Sequence, residues 1–155
     1  MRAVVQRVSR AAVRVGGDVV GEIGTGLCVL LSVGPGDDEE TARRLARRIA
    51  GLRIFPDAEG RMNVDLASAS GALLVVSQFT LHADTSRGHR PSFIGAAPAQ
   101  VAERLCDVAV AELRALGHPV ETGRFGAHME VELSNDGPVT LVLSSGEAAW
   151  NADAG

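Results

Sequence analysis

The chain has 155 residues, with 15 arginines, no lysine and 19 acidic residues, so its formal net charge at pH 7 is −4. A protein that coats duplex nucleic acid needs a basic surface, and this charge therefore argues against a general DNA-binding protein. Hydrophobic residues make up 46% and aromatic residues 3% of the chain, which excludes disorder and coiled coil and favours an aliphatic globular core. Because no apolar run approaches the roughly 18 residues of a membrane span, and the two cysteines form no motif, we expect a cytoplasmic protein with no membrane partner.

The predicted elements begin with a β meander from Met1 to Val33. Valines alternate there with polar residues, and glycines punctuate the pattern as tight turns do, so three or four strands are expected. A helix is predicted from about Asp38 to Gly51, because its acids precede its arginines and its apolar residues recur every three or four positions. The arginines of this helix are predicted to form a solvated face: Arg43, Arg44, Arg47 and Arg48.

The middle of the chain contains its most apolar segment. A short strand at Arg53–Phe55 and a turn at Asp57–Gly60 come first. The run Ala72–Leu81 then predicts a deeply buried strand, because it is rich in leucine and valine. After a polar loop, apolar periodicity predicts a second helix from about Ala99 to Leu116, which Gly117 ends.

The last predicted elements are two strands, His128–Leu133 and Val139–Leu143. Runs of strands with two separate helices favour an α+β domain with an antiparallel or mixed sheet over a regular strand and helix alternation. We expect one domain over residues 1–145. The segment from Ser144 onward looks frayed, and residues 146–155 are predicted to be a flexible tail.

The familiar catalytic signatures are missing from this sequence. It contains no Gly-x-Ser-x-Gly elbow, no phosphate-binding loop with lysine and no His-Glu-x-x-His pair. The histidines are scattered without the spacing of metal ligands: His82, His89, His118 and His128. We therefore expect no metal and no cofactor.

Polar residues cluster at the end of the predicted buried strand. In the segment Ser77–Leu81, the strand period of two places Gln78 and Thr80 on one face. Backbone N–H groups freed where the strand leaves its sheet are suited to stabilise an oxyanion, with the Thr80 hydroxyl nearby. The alternative is a structural strand end at which these side chains satisfy neighbouring backbone groups.

A second candidate segment is Asn135-Asp136-Gly137-Pro138, between the last two predicted strands. Such a sequence is typical of a hairpin turn. A Gly-Pro bond can also be cis, and composition leaves both interpretations open.

Taken together, these segments resemble the D-aminoacyl-tRNA deacylases. The resemblance rests on MRAVVQRV at Met1–Val8, RIF at Arg53–Phe55, SQFTL at Ser77–Leu81, RPSF at Arg90–Phe93, TGRF at Thr122–Phe125 and NDGPVT at Asn135–Thr140. The match is nearly collinear from Met1 to about Leu143. Two motifs in the family's order make it specific.

The resemblance implies a homodimer with a barrel-like β core, two flanking helices and an active site where the two subunits meet. Four catalytic residues would line the site in one subunit: Ser77, Gln78, Phe79 and Thr80. Gly137 and Pro138, as a cis pair, would reach in from the other subunit. The 3′-terminal adenosine of tRNA would lie near Phe125 and Met129, and Arg87 and Arg90 would contact acceptor-end phosphates.

The implied activity is hydrolysis of the ester bond of D-aminoacyl-tRNA, as a proofreading step of translation. The Gly137 and Pro138 carbonyl oxygens would accept hydrogen bonds from the substrate ammonium, so that an L side chain would collide with them and a D side chain would not. Glycine has no side chain to reject. We therefore expect partial cleavage of glycyl-tRNA, including glycine mischarged on tRNA-Ala.

Several alternatives stay open at this point. Thr80 is a possible nucleophile, but the motif supplies no base, so water attack assisted by the terminal ribose 2′-hydroxyl is preferred. A related deacylase with a trans Gly-Pro, which removes L-alanine, is the nearest enzyme alternative. A noncatalytic module that binds RNA ends is an alternative from another class, and a metal-dependent hydrolase is a distant fourth.

Overall fold

The computed structural model describes residues 1–146, which form a curved mixed β-sheet with two flanking α-helices, so the predicted α+β class is confirmed. Of the predicted tail, residues 147–155 lie outside the described part. In chain order the elements are β1 (Arg2–Val15), β2 (Asp18–Ile23), β3 (Gly26–Ser32), α1 (Glu39–Ala50), β4 (Phe55–Pro56), β5 (Met62–Val64), β6 (Ala72–Ser77), a 3₁₀ helix (Phe79–His82), α2 (Ala99–Ala115), β7 (Val120–Thr122) and β8 (Glu130–Ser144).

The main sheet is built around the long strand β1. One edge of β1 pairs antiparallel with β3 and then with β2, and its other edge pairs antiparallel with β8. Beyond β3, the strands β6 and β7 are added in parallel. The sheet curls into a nearly closed barrel, in which β2 comes close to β7. A Cβ atom added at Gly21 of β2 would lie only 2.7 Å from the carbonyl oxygen of Thr122 in β7. Only glycine allows this approach.

Apolar side chains fill both sides of the sheet. Along β6, Leu73 and Val75 point toward the helices, while Leu74 and Val76 point into the barrel. A strand that is buried on both faces has apolar residues at consecutive positions of its sequence. This explains why β6 lacks the alternation of polar and apolar residues seen in β1.

The two helices were predicted within one residue of their observed ends, and they are tied to each other by ion pairs. The Asp38 carboxylate caps α1 by accepting from the Thr41 N–H at 2.8 Å. Glu112 of α2 accepts from Arg47 Nε at 2.7 Å and from Arg43 at 3.4 Å. These hydrogen bonds, chiefly that from Arg47, hold the pKa of Glu112 below its ordinary value. Arg43 and Arg47 of the predicted solvated face are therefore partly exposed and also join the two helices.

The prediction of one strand over Ala72–Leu81 is wrong at its end. The neighbouring strand β3 stops at Ser32, and the last ladder-like bond runs from the Gln78 N–H to the Leu31 carbonyl at 2.8 Å. Without a partner strand, residues 79–82 turn into a 3₁₀ helix in which the Leu81 N–H donates to the Gln78 carbonyl at 3.2 Å. Gln78 and Thr80 thus do not share the face of a strand.

The prediction of two final strands joined by a hairpin is also wrong. β8 is a single strand that runs along β1 with one excursion. Gln6 pairs with Thr140 and Val8 with Asn135, so Arg7 faces the four residues 136–139, which we name the 136–139 loop. The fraying predicted from Ser144 is wrong for Ser145, whose N–H donates to the Met1 carbonyl at 2.9 Å.

Short elements account for the remaining differences. The strand expected at Arg53–Phe55 lies at Phe55–Pro56, where it pairs with β5, and neither β5 nor β7 was predicted. Each of these unpredicted strands has only three residues, too few to establish a period. Neither α-helix of residues 1–146 combines the length and apolar character that crossing a bilayer requires.

Candidate functional site

A cavity of about 680 Å³ opens where the parallel strands β3, β6 and β7 end. In sheets with parallel strands, ligands bind in the crevice outside the carboxyl ends of the strands. The volume also falls within the roughly 300–1,000 Å³ typical of small-molecule sites. The segment 93–99, the start of α2 and the segment 125–129 complete its wall.

Five of the residues predicted for the site line this one cavity: Ser77, Gln78, Phe79, Phe125 and Met129. The bend after β6 brings the first three to the opening, and the chain that leaves β7 brings the other two. Phe79 is 57% exposed, and its ring meets Phe93 edge to face with centroids 5.1 Å apart. This aromatic pair and the apolar wall suit a flat, ring-shaped ligand.

Thr80 sits beside the cavity rather than in its wall, and Gln78 holds it in place. The Gln78 side-chain amide donates a hydrogen bond to the Thr80 hydroxyl oxygen. The backbone N–H groups of Phe79 and Thr80 donate to no residue of the described chain. They are the first N–H groups of the 3₁₀ helix, so they are free to donate to an anionic oxygen.

Within the described residues, the cavity wall offers few groups for nucleophilic or general-base chemistry. Its wall includes no carboxylate, and its one thiol, Cys106, has a pKa that burial raises to about 12. Such a thiol stays protonated at neutral pH and is a poor nucleophile. His128 stands exposed at the rim. No three metal-ligating side chains of residues 1–146 lie close enough together to hold a metal ion.

Arg87 and Arg90 lie on an exposed loop outside the cavity wall. The loop is closed by two backbone hydrogen bonds between Asp84 and Ser92, at 2.8 and 2.9 Å. Arg87 and Arg90 lie between these two residues, in the loop that follows the 3₁₀ helix, and both are exposed to solvent. The structure therefore does not bring the two arginines to the cavity surface itself.

The 136–139 loop is exposed at its tip and held firmly at its base. The Gly137–Pro138 peptide bond is cis, and both residues are exposed. Arg7, whose side chain is only 11% exposed, donates to the Asp136 carbonyl at 3.0 Å and to the Ile54 carbonyl at 2.5 Å. The loop does not line the cavity of its own chain.

Replacing Arg7 with methionine should lower the free energy of unfolding by about 3 kcal/mol, because two carbonyl groups lose a charged donor in a mostly buried setting. Arg14→Met is the matched control on the same strand. The Arg14 side chain is 35% exposed, and among residues 1–146 it bonds only the Gly17 carbonyl at 3.2 Å and, weakly, Glu132. Its loss should cost less than about 1 kcal/mol. Urea denaturation of both variants measures the difference, and equal losses would contradict the anchoring role of Arg7.

Among the residues of the cavity wall that sequence reasoning missed are Ser32 and Phe93. Phe93 belongs to the RPSF segment and was noted only as part of a motif. Ser32 ends β3, inside an apolar run that gives no hint of a site. Only the parallel pairing of β3 with β6 places it beside Ser77, and that pairing joins residues about 45 positions apart.

Comparison with known proteins gives a consistent result over the whole described chain. Residues 4–144 match the family model described as D-Tyr-tRNA(Tyr) deacylase. A D-aminoacyl-tRNA deacylase from Roseiflexus sp. (strain RS-1) is 61% identical over 94% of this chain and 94% of its own length. One from Cronobacter sakazakii (strain ATCC BAA-894) is 55% identical over 92% of this chain and 99% of its own.

Solved structures show the same fold. The structure titled "c-Myc DNA Unwinding Element Binding Protein" has a TM-score of 0.89 at 39% identity, and the match covers 95% of this chain and 100% of the other. A probable eukaryotic D-amino acid tRNA deacylase has a TM-score of 0.76 at 17% identity, covering 92% and 97%. The second likeness concerns the fold alone.

Proposed function

Because this chain belongs to the D-Tyr-tRNA(Tyr) deacylase family, we propose that it hydrolyses the ester bond between a D-amino acid and tRNA. The chain is then an ester hydrolase that proofreads translation in the cytoplasm. The observation that carries the proposal is the meeting of the SQFTL segment and the Phe125–Met129 segment at one cavity. A terminal nucleoside needs one binding surface, and the ester bond that it carries needs a second surface beside the first.

The cavity is proposed to take the 3′-terminal adenosine of the tRNA. The base packs against the apolar wall near Phe125 and Met129, where an aromatic ring offers a stacking surface. The ester then lies at the rim, close to Ser77, Gln78 and Phe79. Arg87 and Arg90, exposed on the neighbouring loop, contact phosphates of the acceptor end, so binding weakens as salt rises.

The chemistry proposed at the rim is attack by water on the ester carbonyl. The unpaired N–H groups of Phe79 and Thr80 stabilise the oxyanion that forms. The ribose 2′-hydroxyl, which adjoins the ester in the substrate itself, assists the proton transfer, because the described residues that line the cavity include no carboxylate. The ester C–O bond breaks, the carbonyl carbon keeps the hydroxyl, and the proton goes to the ribose 3′-oxygen.

Selectivity for D-amino acids is proposed to come from the 136–139 loop of a second copy of the chain. The loop is exposed, is anchored by Arg7 and does not line the cavity of its own chain, which supports a role at the cavity of another subunit. In the homodimer, the Gly137 and Pro138 carbonyl oxygens bind the substrate ammonium and exclude an L side chain. Glycyl-tRNA, including glycine mischarged on tRNA-Ala, escapes this exclusion and is cleaved.

The test is hydrolysis of D-tyrosyl-tRNA by the purified full chain, with L-tyrosyl-tRNA as the matched control. We expect a D-over-L ratio in kcat/KM of at least about 100, which corresponds to about 3 kcal/mol of steric exclusion. Glycyl-tRNA is the second arm and should be cleaved measurably. Cleavage of L-alanyl-tRNA in preference to the D substrate, or binding without cleavage, would overturn the proposal, as would loss of activity in a chelator.

A further inference from the structure

Ser32 is a polar residue in a place where a polar side chain is costly. It is 1% exposed, and within residues 1–146 it is the one polar side chain that the fold buries fully. Its hydroxyl oxygen has no hydrogen-bond partner among the described atoms. A buried donor that stays unpaired costs about 1–3 kcal/mol, so such a group calls for a partner that binds later.

The position of Ser32 points to the ligand cavity. Ser32 is the last residue of β3, and the preceding residue Leu31 pairs in register with Ser77. Neighbouring strands lie about 4.8 Å apart, so Ser32 adjoins the junction of Ser77 and Gln78 at the carboxyl edge of the sheet. It forms part of the cavity wall together with them.

Apart from Ser77 and Gln78, the wall around Ser32 is apolar. Leu31 and Val33 flank it in the chain, Val76 lies on the adjacent strand, and Ala102 and Cys106 face the cavity from α2. Apolar contacts bind a ligand but do not fix its orientation. An unpaired hydroxyl in such a wall can fix the orientation through a hydrogen bond.

We propose that the Ser32 hydroxyl forms a hydrogen bond with the terminal adenosine of the substrate and thereby orients it. This inference rests on the proposed function, in which the other polar groups of the substrate already have partners. The loop carbonyls bind the ammonium, the Phe79 and Thr80 N–H groups bind the ester oxygen, and the amino-acid side chain leaves toward solvent. The nucleoside is the part left inside the cavity, and a hydroxyl can donate to its acceptors or accept from its donors.

The experiment compares Ser32→Ala with wild type, using adenosine 5′-monophosphate as an inhibitor of D-tyrosyl-tRNA hydrolysis. One lost hydrogen bond should raise both the inhibition constant and the KM about fivefold, while kcat stays within about twofold. The urea midpoint should stay unchanged or rise, because alanine removes an unpaired buried group. Ser9→Ala, an exposed serine of β1 outside the cavity, is the matched control and should change neither constant.

A second inhibitor, 2′-deoxyadenosine 5′-monophosphate, locates the bond. If the effect of Ser32→Ala disappears with this inhibitor, Ser32 binds the 2′-hydroxyl. If the effect persists, Ser32 binds another group of the nucleoside. Unchanged constants in Ser32→Ala would overturn the proposal. So would a lowered urea midpoint, because the hydroxyl would then have a structural partner.

The two proposals fail in different ways. A wild-type chain that does not cleave D-tyrosyl-tRNA contradicts the proposed function. A wild-type chain that cleaves it normally, with Ser32→Ala indistinguishable from it, contradicts only the role of Ser32. If the monophosphate does not inhibit the wild type, the KM comparison decides alone.

Discussion

A substrate whose terminal ribose lacks the 2′-hydroxyl should be hydrolysed at least about 100-fold more slowly than the normal substrate, because it loses the group that we propose assists proton transfer. Thr80→Ala should slow the wild-type reaction by less than about tenfold. The only side chain that bonds the Thr80 hydroxyl within the described chain is the Gln78 amide, which donates and cannot take up a proton. An alcohol without a base is a weak nucleophile.

Single-turnover rates on D-tyrosyl-tRNA ending in adenosine or 2′-deoxyadenosine measure the first effect. Thr85→Ala, an exposed threonine on the neighbouring loop, is the control for the Thr80 variant and should leave the rate unchanged. The opposite pattern, in which Thr80→Ala loses all chemistry and the deoxy substrate loses none, would identify Thr80 as the nucleophile. His128→Asn tests the histidine at the rim, and a rate loss as large as that of the deoxy substrate would assign proton transfer to His128 instead.

The helices could be predicted from the sequence because the information that specifies them is local. The Asp38 side chain caps α1 by accepting from the Thr41 N–H, three positions away. Gly51 follows the last residue of α1, and its N–H donates to the Arg47 carbonyl. Apolar periodicity placed α2 in the same way. The family resemblance added candidate site residues, and the structure places two of them, Gln78 and Phe125, in the wall of one cavity.

The errors concern bonds between residues far apart in the chain. The apolar run of β6 continues past Ser77, and the strand ends there only because β3 ends at Ser32. The sequence Asn135–Pro138 is typical of a hairpin turn, yet the chain continues along β1, where Arg7 binds the Asp136 carbonyl from 129 positions away. Ser32 belongs to no motif. Its place in the site follows from strand pairing alone.

Gly137→Ala should lower kcat/KM for D-aminoacyl-tRNA about 100-fold, because a displacement of about 1 Å in a positioning group costs that much. Gly137 has φ +138°, which side-chain-bearing residues avoid. An added Cβ would lie 2.8 Å from the Val139 backbone nitrogen and 3.2 Å from the Arg7 guanidinium. The 136–139 loop must therefore shift, and its carbonyl oxygens move with it.

Gly60→Ala is the matched control for backbone strain. Gly60 also has a positive φ, of +78°, but nothing lies within 4 Å of an added Cβ, and the residue is not part of the cavity wall. It should lose about 1–2 kcal/mol of stability and keep its activity. A Gly137→Ala protein that folds and retains full activity would contradict the role of the loop.

Mixing a variant altered in the 136–139 loop with one altered in the cavity wall tests whether the loop serves the partner's cavity, provided that each variant alone is impaired. Gly137→Ala has an intact cavity, and Gln78→Ala has an intact 136–139 loop, so a mixed dimer of the two contains one site in which both parts are wild type. Random pairing of equal amounts makes half of the dimers mixed, and about a quarter of all sites should regain activity. If cavity and loop acted within one chain, every site in the mixture would carry a defect. Mixing would then restore nothing, and the cross-subunit arrangement would be wrong even if both residues are essential.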